Sequence, residues 1–219
     1  MKYVDEKDAK AIIAVSGAHN NRYGWGDQQW EMYGQRGAFI PNAREGAIFE
    51  YDLSQMLSLR LVEALAEFDY KCVLWDGRGV VNDVDAINTM HTTRGLSTFD
   101  MAITIHFDSY AVKNTNRTKI FYGCAKGLAQ TIAKNIPSGG ICETPAKAVK
   151  HGEGGYNNYL YIRETKMPAV IVEAFNGKDP KTIELFKNGL HSEKVRKWRN
   201  HFVAGVTAGI MDYFSRIKK

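Results

Sequence analysis

Cysteine is scarce in this chain. Its three copies, Cys72, Cys124 and Cys142, are odd in number and show no Cys-x-x-Cys spacing. That argues against a disulfide framework and against a thiolate zinc site, and it mildly favours a reducing compartment. Long apolar runs are missing too: none approaches the roughly 20 residues of a membrane-spanning helix. The N-terminal Met-Lys-Tyr-Val-Asp-Glu-Lys-Asp is charged and lacks the apolar centre of a secretory signal, so synthesis in the cytoplasm is expected. There is no internal repeat, linker or low-complexity tract, and no compact His-Glu-x-x-His pair. The expectation is one domain spanning 1–219.

What is present fits that expectation. The chain has 219 residues, 44% hydrophobic and 24% charged, enough for one well-packed globular core. A net charge of +5 suits an anionic polymer as partner, whether nucleic acid, acidic membrane or cell-wall polymer. Charge alone does not choose among them.

The pattern along the chain alternates strands and helices. Ala11 to Val15 is a short apolar run closed by Ser16-Gly17, a first strand, and Ala18-His19-Asn20 follows at once. The segment to about Arg44 is polar and aromatic, with Tyr23, Trp25, Trp30, Tyr33 and Phe39, and reads as a long functional loop. From Gly46 to Phe68 the period is helical: Leu53, Leu57, Leu61, Leu65 and Phe68 share a face. At about 100° per residue Glu50 lies about 20° from Leu57, on the buried stripe. A carboxylate there is costly unless paired or bound to a metal.

Lys71 to Trp75 reads as a second strand, Val84 to Leu96 as a weaker helix, and Met101 to Ser109 as a buried strand running into His106. Thr118 to Tyr122 is a further strand, and Leu128 to Ile136 a helix ended by Pro137. Ser138 to Asn158 reads as a second, glycine-rich loop, Leu160 to Arg163 as a short strand or turn, and Pro168 to Val172 as an apolar strand ending at Glu173. Val195, Trp198, Phe202, Val206, Gly209, Ile210, Tyr213 and Ile217 recur at three and four, giving a long amphipathic C-terminal helix. The fold expected is α/β, an open twisted sheet of about five to six strands flanked by helices.

Ligands collect past the carboxyl ends of strands in such sheets. His19, His106 and Glu173 are expected there, and Glu50 in the first turns of a helix at the same end. Two imidazoles and a carboxylate are a recognised set for catalytic zinc. A further carboxylate can then serve as proton carrier. Spacing alone does not say which group does what.

These residues resemble a family. Ser16-Gly17-Ala18-His19, Glu50-Tyr51-Asp52-Leu53-Ser54, the strand from Asp100 through His106 to Ser109, and above all Leu160 through Glu173 to Asn176 resemble the zinc-dependent N-acetylmuramoyl-L-alanine amidases of the amidase 3 type, bacteriophage endolysin catalytic domains in particular. The resemblance implies zinc held by His19, Glu50 and His106, with Glu45 as the rival to Glu50, and Glu173 as the catalytic carboxylate. It implies cleavage of the amide between N-acetylmuramic acid and L-alanine in peptidoglycan. The partners implied are muropeptide substrate and anionic wall polymers, with no nucleic acid and no membrane span, for a monomeric lysin acting on the wall after release. Where the family has Gly-His-Gly-Gly, this chain has Ala18-His19-Asn20-Asn21, and residues 20–45 read as an insertion. No separate wall-binding domain is visible.

Competing readings keep the same residues. Another zinc amide hydrolase, a peptidase or deacetylase, would use the same ligands with a different pocket. A two-carboxylate glycosidase would use Glu50 and Glu173. A non-catalytic wall-binding module would have no need of all four groups. His151 reads as a loop histidine or a site contact, and His91, His191 and His201 as surface or helix-packing residues. Tyr23, Trp25, Trp30 and Tyr33 would stack on sugars or fold the loop onto itself. Lys113, Asn116, Arg117 and Lys119 read as a solvated edge or a wall contact, and Arg163 as a substrate contact or an ion-pair partner.

Overall fold

The computed structural model describes residues 2–18, 37–41, 46–75, 80–93, 99–108, 116–138, 141–142, 144–153 and 159–217, with only the backbone given at 80–82 and 91–93. Eight strands form among them: β1 Ile12–Gly17, β2 Phe39–Ile40, β3 Ile48–Phe49, β4 Lys71–Trp75, β5 Met101–Asp108, β6 Lys119–Tyr122, β7 Lys147–Lys150 and β8 Ala169–Asn176. Six α-helices join them: α1 Glu50–Ala66, α2 Val80–Thr93, α3 Lys126–Asn135, α4 Leu160–Glu164, α5 Pro180–Phe186 and α6 Glu193–Ile217. The main sheet runs β4-β1-β5-β8-β6-β7. Its first four strands are parallel, β6 is antiparallel to β8, and β7 is parallel to β6.

Burial explains this order. All six residues of β1 and all eight of β8 are buried. Such unbroken burial belongs to parallel strands covered on both faces. On one face Leu53, Leu57, Leu61 and Leu65 of α1, Leu128 and Ile132 of α3, and Val206 and Ile210 of α6 close over Ile13, Val15, Ile103, Ile105, Val170 and Val172. On the other, Val84 and Ile87 of α2 and Tyr161 of α4 close over Ile12, Ala14, Ala102, Phe121 and Ile171. The α/β fold with its long C-terminal helix is as the periodicity predicts.

Several local expectations change. The helix expected from Gly46 begins at Glu50, because Ile48–Phe49 pairs antiparallel with Phe39–Ile40 and Gly46 takes φ +91°, outside the helical range. Phe39–Ile40 also puts a strand inside the segment read as an unstructured loop. Phe68 is exposed, since the helix ends at Ala66, and Asp69 turns the chain with φ 66°. Lys147–Lys150 is an edge strand where only loop was expected. Leu160–Glu164 is one helical turn, and Pro180–Phe186, capped by Asp179 accepting from the Lys181 N–H, is a helix the pattern did not reveal. No helix among the described residues is long and apolar enough to cross a membrane.

Candidate active site

The site lies at the carboxyl end of the central strands. His106 and Glu173 sit inside their strands, not past the ends, and pair with each other in register between β5 and β8. Lys119 of β6 pairs in register with Glu173 on its other side. Side chains alternate along a strand, and Ala102, Ile171 and Phe121 mark the face covered by α2 and α4. His106, Glu173 and Lys119 stand an even number of positions away. They therefore form a row across three neighbouring strands on that face.

A break in the ladder admits the fourth group. The β5–β8 register shifts between His106 and Asp108, which next pairs with Asn176. Such bulges re-aim side chains and leave a backbone group unpaired. The Phe107 N–H at this point donates to Glu50 Oε1 at 3.2 Å. Glu50 Oε2 accepts from the Ala38 N–H at 2.8 Å, and the Ala38 carbonyl accepts from the Glu50 N–H at 2.8 Å. His106 Nδ1 lies 2.9 Å from Glu50 Oε1. A carboxylate only 3% exposed is thus tied to two backbone donors and one imidazole.

Glu173 is treated differently by its surroundings. It is buried, and its Oε2 has no hydrogen-bond partner among the described residues. Burial, with the negative charges of Asp108 and Glu50 added, pushes its carboxyl well above the ordinary value, and Lys119 only partly opposes this. Lys119 is itself engaged, with Nζ 3.1 Å from Asp108 Oδ2. A buried carboxyl whose proton affinity is raised in this way is of the kind that can take up and return a proton.

The strand before this row is anchored. The Ala18 N–H donates to the Ile105 carbonyl at 3.2 Å and to Ser54 Oγ at 2.9 Å. Ser58 Oγ donates to the Ser16 carbonyl at 3.1 Å, tying β1 to α1. His19, one residue on, lies outside the described residues, as do Glu45, Lys113 and the aromatics Tyr23, Trp25, Trp30 and Tyr33. Among the described residues no cluster of three histidine, cysteine or acidic side chains is close enough to hold a metal. Glu50 and His106 are two such groups in contact. Their donor atoms, an imidazole nitrogen and a carboxylate oxygen, are of the kind zinc takes. The chemistry of this pair fits two ligands of a cation.

Other candidates are placed elsewhere. His151 Nε2 accepts from the Tyr159 N–H at 3.4 Å, so it braces the turn after β7. His191 and His201 are exposed. Arg163 pairs with its neighbour Glu164 at 2.8 Å. Neither a solvated edge nor a wall contact describes Asn116, which is buried, accepts from the Asn176 N–H and donates to Thr182 Oγ1. Arg117 donates to Thr144 Oγ1. Sequence reasoning missed Lys119 and Asp108 as members of the site, and also Gln55, whose buried Nε2 has no partner among the described residues and sits where a side chain at Gly17 would be. Their contacts cross strands or elements and leave no periodic trace.

Fold and site together describe an α/β protein with a buried carboxylate, Glu173, beside His106 at the carboxyl end of its central strands. The family profile described as N-acetylmuramoyl-L-alanine amidase matches residues 19–210, and the chain belongs to that family. No curated relative matches in sequence. Among solved structures, the chain is similar to N-acetylmuramoyl-L-alanine amidase AmiC2 of Nostoc punctiforme, with TM-score 0.69 at 15% identity over 95% of this chain and 99% of that one. The catalytic domain of CwlV, an N-acetylmuramoyl-L-alanine amidase from Bacillus (Paenibacillus) polymyxa var. colistinus, gives 0.67 at 17% identity, over 94% and 98%. The catalytic domain of the CD27L endolysin targeting Clostridia Difficile gives 0.56 at 14%, over 92% and 97%. At these identities the likeness is one of fold.

Proposed function

We propose that this chain, as a single catalytic domain, hydrolyses the amide joining the lactyl group of N-acetylmuramic acid to L-alanine in peptidoglycan, with zinc as its cofactor. His19, Glu50 and His106 would hold the metal. Bound zinc would polarise the scissile carbonyl and acidify a water. The chain's own part is proton handling and orientation. Glu173 takes the proton of the attacking water on its free Oε2 and returns it to the departing L-alanine nitrogen, so that hydroxyl ends on the lactyl carbon and hydrogen on the amine. The Ala38 and Phe107 N–H groups fix the Glu50 carboxylate, and the strand pairing fixes His106 beside Glu173.

The observation that carries this reading is Glu173: a buried carboxyl, one oxygen without a partner among the described residues, in register with His106. Family membership supplies the substrate class. The likeness to an endolysin catalytic domain supports a lytic role at the cell wall, and the net charge of +5 supports attachment to anionic wall polymers. A defined muropeptide tests the proposal. Hydrolysis should free L-alanine amino termini without new reducing sugars, stop with chelator and resume with zinc. New reducing ends, or indifference to chelator, would refute it.

A further inference from the structure

A cavity of about 410 Å³ opens on the sheet face away from His106 and Glu173, between the end of α3, α5 and the first turns of α6. Ligand pockets begin at about 300 Å³, so its size is sufficient for a small molecule. Its interior is apolar: Ile136, Leu185, Trp198 and Phe202, with Cys142. The polar atoms of the floor are already used. Thr118 Oγ1 donates to the Ala174 carbonyl at 2.8 Å, and Cys142 Sγ lies 3.6 Å from the same oxygen. An occupant would therefore find no hydrogen-bonding demand at the bottom.

The charged residues that line the rim are lysines, Lys194 and Lys197, with Glu184 near the first and Glu193 near the second, both acids outside the lining. Lys194, Lys197, Trp198, His201 and Phe202 all line the cavity and fall at i, i+3, i+4, i+7 and i+8, a single stripe of α6. The aromatics of the stripe point in and its cations stand at the mouth. Lys197 pairs with Glu193 at 2.9 Å, but both are about two-thirds exposed, and such a surface pair is worth little against a better partner. Trp198 is held rigid from behind, edge-on to Phe175 at 5.2 Å and to Phe186 at 5.7 Å, and stacked on Phe202 at 5.5 Å. An apolar well with a fixed aromatic wall and a cationic mouth matches one ligand chemistry.

We infer that this cavity binds a single-chain amphipathic anion, its apolar body in the well and its acidic head against Lys194 and Lys197. The site is separate from the hydrolytic one, although its floor residue Thr118 adjoins Lys119 and grips the carbonyl next to Glu173 in sequence.

The test uses decanoate, acetate and decyltrimethylammonium with the full chain, reading the Trp198 indole signal by nuclear magnetic resonance, assigned with Trp198→Phe. Decanoate should shift it saturably. Raising sodium chloride should weaken binding, and Lys194→Gln/Lys197→Gln should weaken it by about fivefold or more, two surface charges' worth. Hydrolytic activity without the ligand should be unchanged in that variant. No saturable shift with decanoate would overturn the inference. So would equal binding of decyltrimethylammonium, which would make the cavity merely apolar, or equal binding of acetate, which would make it surface charge alone.

Discussion

Replacing Glu50 separates its two jobs, holding a metal and holding the backbone. In the metal-free protein only the second remains, and its size follows from the contacts. Glu50→Ala leaves the Ala38 and Phe107 N–H groups, now bonded at 2.8 and 3.2 Å, without acceptors in a buried place. Each orphaned donor costs about 1–3 kcal/mol. Removing a buried carboxylate returns part of that, so a net loss of about 2–4 kcal/mol is expected. For a domain of this size that lowers Tm by roughly 5–15 °C. Glu50→Gln is not a rescue: its amide nitrogen would face one of the two N–H donors, costing about 1–3 kcal/mol. Urea unfolding followed by circular dichroism, with chelator throughout, measures both. If metal-free Glu50→Ala lies within about 0.5 kcal/mol of the parent chain, the backbone role is wrong and Glu50 is a ligand alone.

Three further outcomes are expected. Because the Glu173 carboxyl binds its proton more tightly folded than unfolded, the stability it contributes is full below its ordinary 4.5 and is lost as pH rises through the folded value. Metal-free Glu173→Gln should therefore be more stable than the parent at neutral pH and equal to it at about pH 4; a gain at both pH values would contradict the assigned cause. Gly209→Ala puts a Cβ against Ile132 Cα and 2.9 Å from the Thr131 carbonyl where α3 crosses α6. Helix propensity would favour it by about 1 kcal/mol, but backbone cannot yield at that distance, so a net loss of about 1–3 kcal/mol should appear in thermal unfolding. Of the three thiols, exposed Cys124 should react quickly with Ellman's reagent in the native protein. Cys72, pushed up to about 12 by burial, and buried Cys142 should not react until unfolding.

Periodicity carried the layers but not the junctions. Leu53, Leu57, Leu61 and Leu65 announce α1 because one buried stripe repeats each turn, and the unbroken apolar runs of β1 and β8 announce a covered sheet. Ile48–Phe49 and Lys147–Lys150 stayed hidden because two to four residues, with polar neighbours, are too short to show a period. In the site, Glu50 was legible as a carboxylate out of place on an apolar face, and His106 and Glu173 as polar groups closing apolar strands. That they pair in register was not, since register depends on which strands become neighbours. The family resemblance drawn from those segments agrees with the matched family profile. The Asp108–Lys119 pair is set by β6 running antiparallel to β8, a choice no local pattern records.

The central claim is that Glu50 and His106 hold a cation while Glu173 moves protons beside it. Elemental analysis of zinc bound per chain, on the parent protein, His106→Ala and Glu173→Gln, tests it most directly. The account predicts zinc on the parent and on Glu173→Gln, the latter without turnover, and its loss from His106→Ala. Zinc retained in full by His106→Ala, or lost from Glu173→Gln, would contradict it.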